Sequence, residues 1–237
     1  MEAFCLICVT PHKIWCDFLV NFAKYKIFII VDNNNYDLTE FKIRYANITF
    51  LQISENDCTV NGYINSSFTI NKLISGWDKA LHYFGVENNN SFEYIWFAEE
   101  DVLIHSENTL INIDNKYVDD DLLSNNYEVN LTGEKKGWLW HIVSVNFEPP
   151  HYHGMMCVVR FSKHMMRCID EYVRKNKKLE FIEALFPTTA IKNNLKYSTP
   201  DEFKNITWNH NYTNETKIRS NLYHPVKNIE EHILFRK

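Results

Sequence analysis

Short apolar runs that each stop at a polar turn, separated by segments of helical spacing, fill the opening hundred residues of this chain and limit the folds open to it. Phe4–Thr10 is a continuous strand pattern closed by Thr10-Pro11. Lys26–Val31 is a second, ended by Asp32-Asn33-Asn34-Asn35. Ile48–Ile53 is a third and weaker one, and Tyr94–Ala98 is a fourth that runs straight into Glu99-Glu100-Asp101. Between them, Ile14–Tyr25 sets Ile14, Phe18, Phe22 and Tyr25 on one helical face, and Thr69–Phe84 does the same with Leu73, Trp77, Ala80 and Leu81. Strands that are apolar throughout are buried on both faces, and strands alternating with helices pair in parallel. The expected class is α/β, with a mostly parallel central sheet and helices on both faces. Ligands of such sheets gather at the carboxyl ends of the strands. Those ends are Thr10-Pro11-His12, Asp32-Asn33 and Glu99-Glu100-Asp101.

The second half is less regular. Asp114–Asn130 is polar and reads as a loop-rich excursion, and Lys135–Phe147 carries Trp138, Trp140 and His141. Met155–Phe161 reads as another strand and Ser162–Lys175 as a helix capped by Ser162. Leu179–Asn194 has helical character interrupted by Pro187, and from Pro200 the chain reads as a polar tail until His224-Pro225-Val226-Lys227. Without a repeat or a flexible linker, residues 1–237 are expected to form a single domain.

Composition removes several function classes. Lys plus Arg is 25 against 30 for Asp plus Glu, a net charge of −5, which disfavours nucleic acid as a partner. Hydrophobic residues make up 45% and aromatics 15%, enough for a sizeable core. The six glycines (62, 76, 85, 133, 137 and 154) include no G-x-G pair, so neither a dinucleotide-binding turn nor a phosphate loop can be written here. Any phosphate must be held by charge. Cys5 and Cys8 form a C-x-x-C spacing inside an apolar run, where three residues along a strand put the thiols on opposite faces. With no second pair, buried free thiols are the expectation, which fits a reducing, cytoplasmic compartment. No basic region precedes the N-terminal apolar run and no apolar stretch approaches membrane-spanning length, so neither a signal peptide nor a transmembrane segment is expected, and the N-x-[ST] sequons at Asn47, Asn65, Asn89, Asn130, Asn205, Asn211 and Asn214 stay unglycosylated.

Glu99-Glu100-Asp101 is the main chemical signal. Carboxylates at the exit of a buried strand are costly unless something positive meets them. On an extended chain Glu99 and Asp101 point to one side and Glu100 to the other. Two converging carboxylates suit a hard divalent cation such as Mg2+ or Mn2+; a solvated acidic turn or a structural Arg or Lys partner are the alternatives.

A strand Tyr-Ile-Trp-Phe followed by Glu-x-Asp-Val resembles the metal motif of GT-A glycosyltransferases, the D-x-D motif in an E-x-D form. Gly76-Trp77-Asp78-Lys79-Ala80-Leu81 is similar to the helix before that motif in poorly characterised relatives, and His224-Pro225-Val226-Lys227 is similar to the late histidine segment of such enzymes. The resemblance implies a GT-A-like fold. Residues 1–104 would be the nucleotide-sugar half and 105–237 the acceptor half. It implies a transferase that moves a sugar from a nucleotide diphosphate donor, with UDP the foremost carrier, to a glycan, protein or lipid-linked acceptor. Glu99, Asp101 and His224 would hold Mn2+ or Mg2+, with Asp101 also catalytic, and Lys227 would neutralise diphosphate charge. Thr10, Asp32, Lys79 and Glu100 would meet the rest of the nucleotide sugar. Glu in place of the first Asp leaves the division of metal ligands among Glu99, Glu100 and Asp101 open.

Glu180 and Glu183 lie one helical turn apart among apolar neighbours, where a carboxyl has a raised pKa. Glu183 resembles the acceptor-side base of GT-A enzymes better; if configuration is retained it would only orient the acceptor. Trp138, Trp140 and His153 are acceptor candidates, though aromatics there also serve as core. His151 and His153 form a possible metal pair that lacks a third ligand of matching spacing. The competing functions are an inactive nucleotide-sugar or glycan-binding module on the same fold, and a metal-dependent hydrolase using the acidic cluster with His151 and His153.

Overall fold

A computed structural model of the chain describes residues 1–67, 74–87, 91–212 and 218–237, and at Tyr127 the backbone alone. In chain order the elements are β1 (Glu2–Cys8), α1 (Lys13–Leu19), β2 (Tyr25–Val31), α2 (Thr39–Arg44), β3 (Ile48–Leu51), α3 (Glu55–Asn61) and α4 (Gly76–His82). A π turn (Tyr83–Glu87) leads to β4 (Tyr94–Glu99), α5 (Glu107–Lys116), β5 (Leu122–Asn130), β6 (His151–Ser162), α6 (Lys163–Asn176) and α7 (Ile182–Lys192). β7 (Tyr197–Ser198), β8 (Asn205–Ile206), β9 (Tyr223–His224) and α8 (Ile229–Arg236) complete the chain.

Seven strands form one sheet in the order β3-β2-β1-β4-β6-β5-β7. β1, β2, β3 and β4 run parallel, β6 is antiparallel to both β4 and β5, and β7 is parallel to β5. Only β6 therefore runs against the others, and the expected mostly parallel α/β architecture is what forms. Strand alternation divides the core. Ala3, Cys5, Ile7, Phe28, Ile30 and Phe97 face α4, α6 and α7. Phe4, Leu6, Cys8, Ile29, Val31 and Trp96 face α1, α2 and α5. Cys5 and Cys8 thus lie on opposite faces, and all six cysteines are free and buried. No helix is long and apolar enough to cross a membrane among the described residues.

Three expectations are corrected. The first helix ends at Leu19, and Tyr25 opens β2 instead of closing the helix. Asp114–Asn130 is no loop: it holds the end of α5 and all of β5. Asp114, Asp120, Ser124 and Asn125 of this stretch are buried, while Asn115, Lys116, Asp119, Asn126 and Glu128 stay exposed. Asp114 takes hydrogen bonds from Trp96 (3.1 Å), from the Tyr25 hydroxyl and from buried Arg160 (2.9 Å), and Asn125 of β5 donates to the Ile206 carbonyl (2.7 Å). The segment after Pro200 is no tail: β8 pairs with β9, and α8 is tied back by Arg236, which donates to the Ile104 carbonyl and sits over the rings of Phe18 (3.6 Å) and Trp15 (4.5 Å). The helix expected over Thr69–Phe84 is seen from Gly76. Its earlier part, Leu73 included, lies outside the described residues, as do the sequons at Asn89 and Asn214.

The start of α4 sits directly on the strand ends. A Cβ on Gly76 would lie 2.5 Å from Ile7 Cγ2 and 3.7 Å from the Asp32 Cβ. Ile7 is the register partner of Glu99. Ile7 is buried and, being β-branched, is stiff at χ1, so it gives way poorly. Gly76→Ala is therefore expected to lower stability by about 1–3 kcal/mol, the range of core overpacking, measured by urea denaturation.

Candidate functional site

The carboxyl ends of β1, β2 and β4 lie side by side, with Cys8 beside Val31 and Ile7 beside Glu99. Beyond β4 the chain turns, and Leu103 makes an antiparallel bridge to Tyr223 through two backbone hydrogen bonds (2.8 and 3.2 Å). That bridge draws β9 alongside the acidic turn. The Val226 N–H then donates to the Asp101 carbonyl at 2.8 Å.

Glu99, Asp101 and His224 converge as a result, with one ligand atom from each lying within 4.8 Å of the others. No other such group of three or more occurs among the described residues. His224 Nδ1 is 2.7 Å from the Thr207 carbonyl, which can only accept, so Nδ1 carries the proton and Nε2 faces Asp101 Oδ1 at 3.4 Å. Asp101 Oδ1 is buried without a hydrogen-bond partner, while Oδ2 takes the Lys227 ammonium at 3.1 Å. Two carboxylates and an imidazole nitrogen, one oxygen of them unsatisfied, fit a divalent cation of the Mg2+ or Mn2+ kind. A backbone carbonyl fixing the histidine tautomer is the usual outer-shell arrangement of a metal ligand.

The electrostatics follow from burial. Desolvation pushes the Glu99 carboxyl up, with Trp77 and His224 opposing it. Desolvation also acts on Asp101, but His224 and Lys227 outweigh it and hold this carboxyl below its ordinary value. Burial opposes charge on His224, and the Asp101 contact overcomes it, so this imidazole lies above the ordinary histidine value.

Glu100 is directed away from the cluster. Its Oε1 accepts from the Val9 N–H at 3.4 Å and its carbonyl accepts from Trp15. Thr10 is half-buried in the same β1–α1 turn. Asp32 follows β2 directly and pairs with Lys79 (2.9 Å). The Lys79 ammonium is wholly buried; it also donates to the Asp32 carbonyl and Asn34 and pairs with Glu55 at 3.6 Å.

Of the two α7-side carboxylates, Glu180 is held by Lys178 at 2.8 Å. Glu183 has no such partner among the described residues. Desolvation and the charge of Glu99 push it up to about 7, with His224 opposing, so Glu183 shares the electrostatic field of the acidic cluster. Trp138 stacks on His153 (4.1 Å between centroids, 4° between planes) and on Phe181 (5.9 Å, 8°). Trp140 packs edge-on against Trp138 at 4.9 Å and is buried, as is His153, which faces Glu128 at 3.3 Å. Trp138 alone of the three is not buried.

Two contributors carry no distinctive sequence signal. Thr207, which fixes His224, sits in a polar stretch that reads as tail. Trp77 reads as one residue of an apolar helix face, but its indole N–H donates to Glu99 Oε1 at 2.7 Å.

No family model and no curated protein matches the chain. Solved structures to which it is similar include 4-diphosphocytidyl-2C-methyl-D-erythritol synthase from Anaerococcus prevotii, at 10% identity over 99% of this chain and 94% of that one with a TM-score of 0.49. Mouse xyloside xylosyltransferase 1 is another, at 9% identity over 86% of this chain and 87% of that one with a TM-score of 0.43.

Glu183 gives this site a stability signature. Its folded pKa, about 7, exceeds the unfolded value of about 4.3. Between those values the native state keeps a proton that the unfolded chain has released, so stability falls as pH rises through this window. The loss assignable to Glu183 is at most about 4 kcal/mol, at about 1.4 kcal/mol per pH unit of displacement. Glu183→Gln is expected to flatten this part of the pH–stability curve between about pH 4.5 and 7, read from urea midpoints at each pH.

Proposed function

We propose that the chain is a metal-dependent glycosyltransferase that takes a sugar from a nucleotide diphosphate donor, UDP-linked, and passes it to a hydroxyl of a glycan, protein or lipid-linked acceptor. The observation that carries this reading is the convergence of Glu99, Asp101 and His224, with Lys227 on Asp101, at the end of β4 beside the ends of β1 and β2. The E-x-D resemblance points to the same residues.

Glu99, Asp101 and His224 would hold Mn2+ or Mg2+. When bound, that cation offsets the charge gathering on the departing diphosphate. Lys227, its side chain largely exposed, adds a pre-placed positive charge on the same side. Asp32, Thr10 and Glu100 meet the base and ribose from the neighbouring strand ends. Lys79 serves through Asp32 instead of reaching the diphosphate, because its ammonium is already committed at the strand end. Trp138, Trp140 and His153 border the acceptor, with Trp138 the accessible member.

In transfer with inversion, the acceptor oxygen bonds to the anomeric carbon as the bond from that carbon to the diphosphate oxygen breaks, with its electron pair leaving on the diphosphate. The acceptor proton goes to Glu183. A carboxyl with a pKa near neutrality is suited to this task. The hydrolase alternative needs His151 and His153 beside the acidic cluster, and among the described residues neither joins it. An inactive nucleotide-sugar-binding module would share the metal site but show no slow hydrolysis of the donor.

Asp101→Ala is expected to abolish Mn2+-dependent stabilisation by UDP in a thermal-shift series that also includes GDP and CMP; unchanged stabilisation would remove the metal assignment. Glu183→Gln is expected to lower kcat by about 10²–10⁴-fold with donor affinity intact. In the parent protein kcat should rise with pH up to about 7, and the variant should lose that limb. Full activity in Glu183→Gln would exclude it as base.

A further inference from the structure

Glu99 is the first carboxylate of the E-x-D pair, and among the described residues Trp77 is the one side chain that hydrogen-bonds it. The bond is short, 2.7 Å, and fixes one oxygen, Oε1. Trp77 is itself held. It is 5% exposed, its ring packs on Phe97 of β4 and on Phe186 of α7, each at 5.9 Å, and it follows Gly76, whose missing side chain lets α4 settle onto Ile7 next to Glu99. A packed indole has few rotamers to visit, so its N–H is a fixed donor.

We propose that Trp77 is a positioning residue for cation binding: its indole N–H locks Glu99 through Oε1, so that Oε2 is presented to a divalent cation shared with Asp101 and His224. This rests on the metal reading given above and deepens it. A carboxylate on a two-methylene stem at a strand end otherwise samples several rotamers, and each non-productive one lowers the fraction of chains able to bind. Hydrogen-bond partners that orient a ligand change metal affinity about 10–100-fold when removed. Phe186 lies on α7 one turn after Glu183, so the same indole also spans the gap between the metal-ligand strand and the helix bearing the proposed base.

The test measures the dissociation constant of Mn2+ by titration calorimetry, alongside that of UDP in metal-free buffer, for the parent protein, Trp77→Phe and Phe186→Leu. Trp77→Phe keeps a ring in the core but loses the N–H. It is expected to weaken Mn2+ binding about tenfold or more while metal-free UDP affinity stays within about twofold. Phe186→Leu disturbs the packing but keeps the N–H, and its Mn2+ affinity should stay within about twofold of the parent's. Equal Mn2+ affinity in Trp77→Phe and parent overturns the positioning role and leaves the metal reading standing. Absence of Mn2+ binding by the parent overturns both. An equal loss in Phe186→Leu shows that packing alone matters and also overturns it. If Trp77→Phe does not fold, benzothienylalanine at position 77 replaces the N–H by sulfur in the same shape. A tenfold weaker Mn2+ affinity in that protein supports the positioning role, and an unchanged affinity overturns it.

Discussion

Carboxylates at the mouth of a hydrophobic strand need positive charge close by, and much of the structure is arranged to deliver it. Tyr94–Ala98 is apolar and largely buried, and Glu99 and Asp101 follow at once with little water to screen them. An uncompensated charge in such a place is among the more destabilising features a fold can carry. The answer comes from the far end of the chain. The Leu103–Tyr223 bridge brings His224 and Lys227 onto Asp101, and Arg236 fastens α8 behind them over Trp15 and Phe18. At Asp101 Oδ1 the compensation is a 3.4 Å approach of the His224 imidazole and not a full hydrogen bond, and a cation would stand between the two groups.

The other organising element is one turn of helix. Gly76 permits close approach to Ile7, Trp77 binds Glu99, Asp78 closes a capping box with Ser75 and accepts from the Ser66 N–H, and Lys79 neutralises Asp32. Gly76, Trp77 and Lys79 therefore connect the ends of β1, β2 and β4, and Asp78 caps the helix that carries them. Lys79 illustrates how burial changes a role. As a sequence position it is a cation near the phosphates; in the structure its ammonium is enclosed by Asp32, Asn34 and Glu55 and acts on the loop after β2.

The parallel strands are legible in the sequence because continuous apolar runs have few other uses, and Ser162 announces α6 by its capping chemistry. Glu99 and Asp101 come together with Glu100 apart, as alternation suggests, but β4 ends at Glu99 and the arrangement is made by a turn that the Val102 N–H closes on the Glu99 carbonyl at 3.1 Å, with Glu100 held by the Val9 N–H. What escapes is polar structure. Asp114 and Asn125 read as loop residues in the sequence, yet they are buried and hydrogen-bonded, Asp114 by the buried Arg160 of β6. β8 and β9 are two residues each, too short for any period to show, and they gain their place only by long-range pairing. Trp138 reads equally as an acceptor face or as core in the sequence; in the structure it is partly buried and stacks on His153 and Phe181. Trp77 escapes for a different reason: hydrophobic spacing accounts for its ring and says nothing of its N–H.

Anomalous diffraction at the manganese edge, from crystals grown with Mn2+ and UDP, tests the proposed metal centre most directly. The expected result is an anomalous peak bonded by carboxylate oxygens of Glu99 and Asp101 and by His224 Nε2, with diphosphate oxygens on its open side. Bound UDP with no peak at these three residues, or a peak held by other side chains, would contradict it.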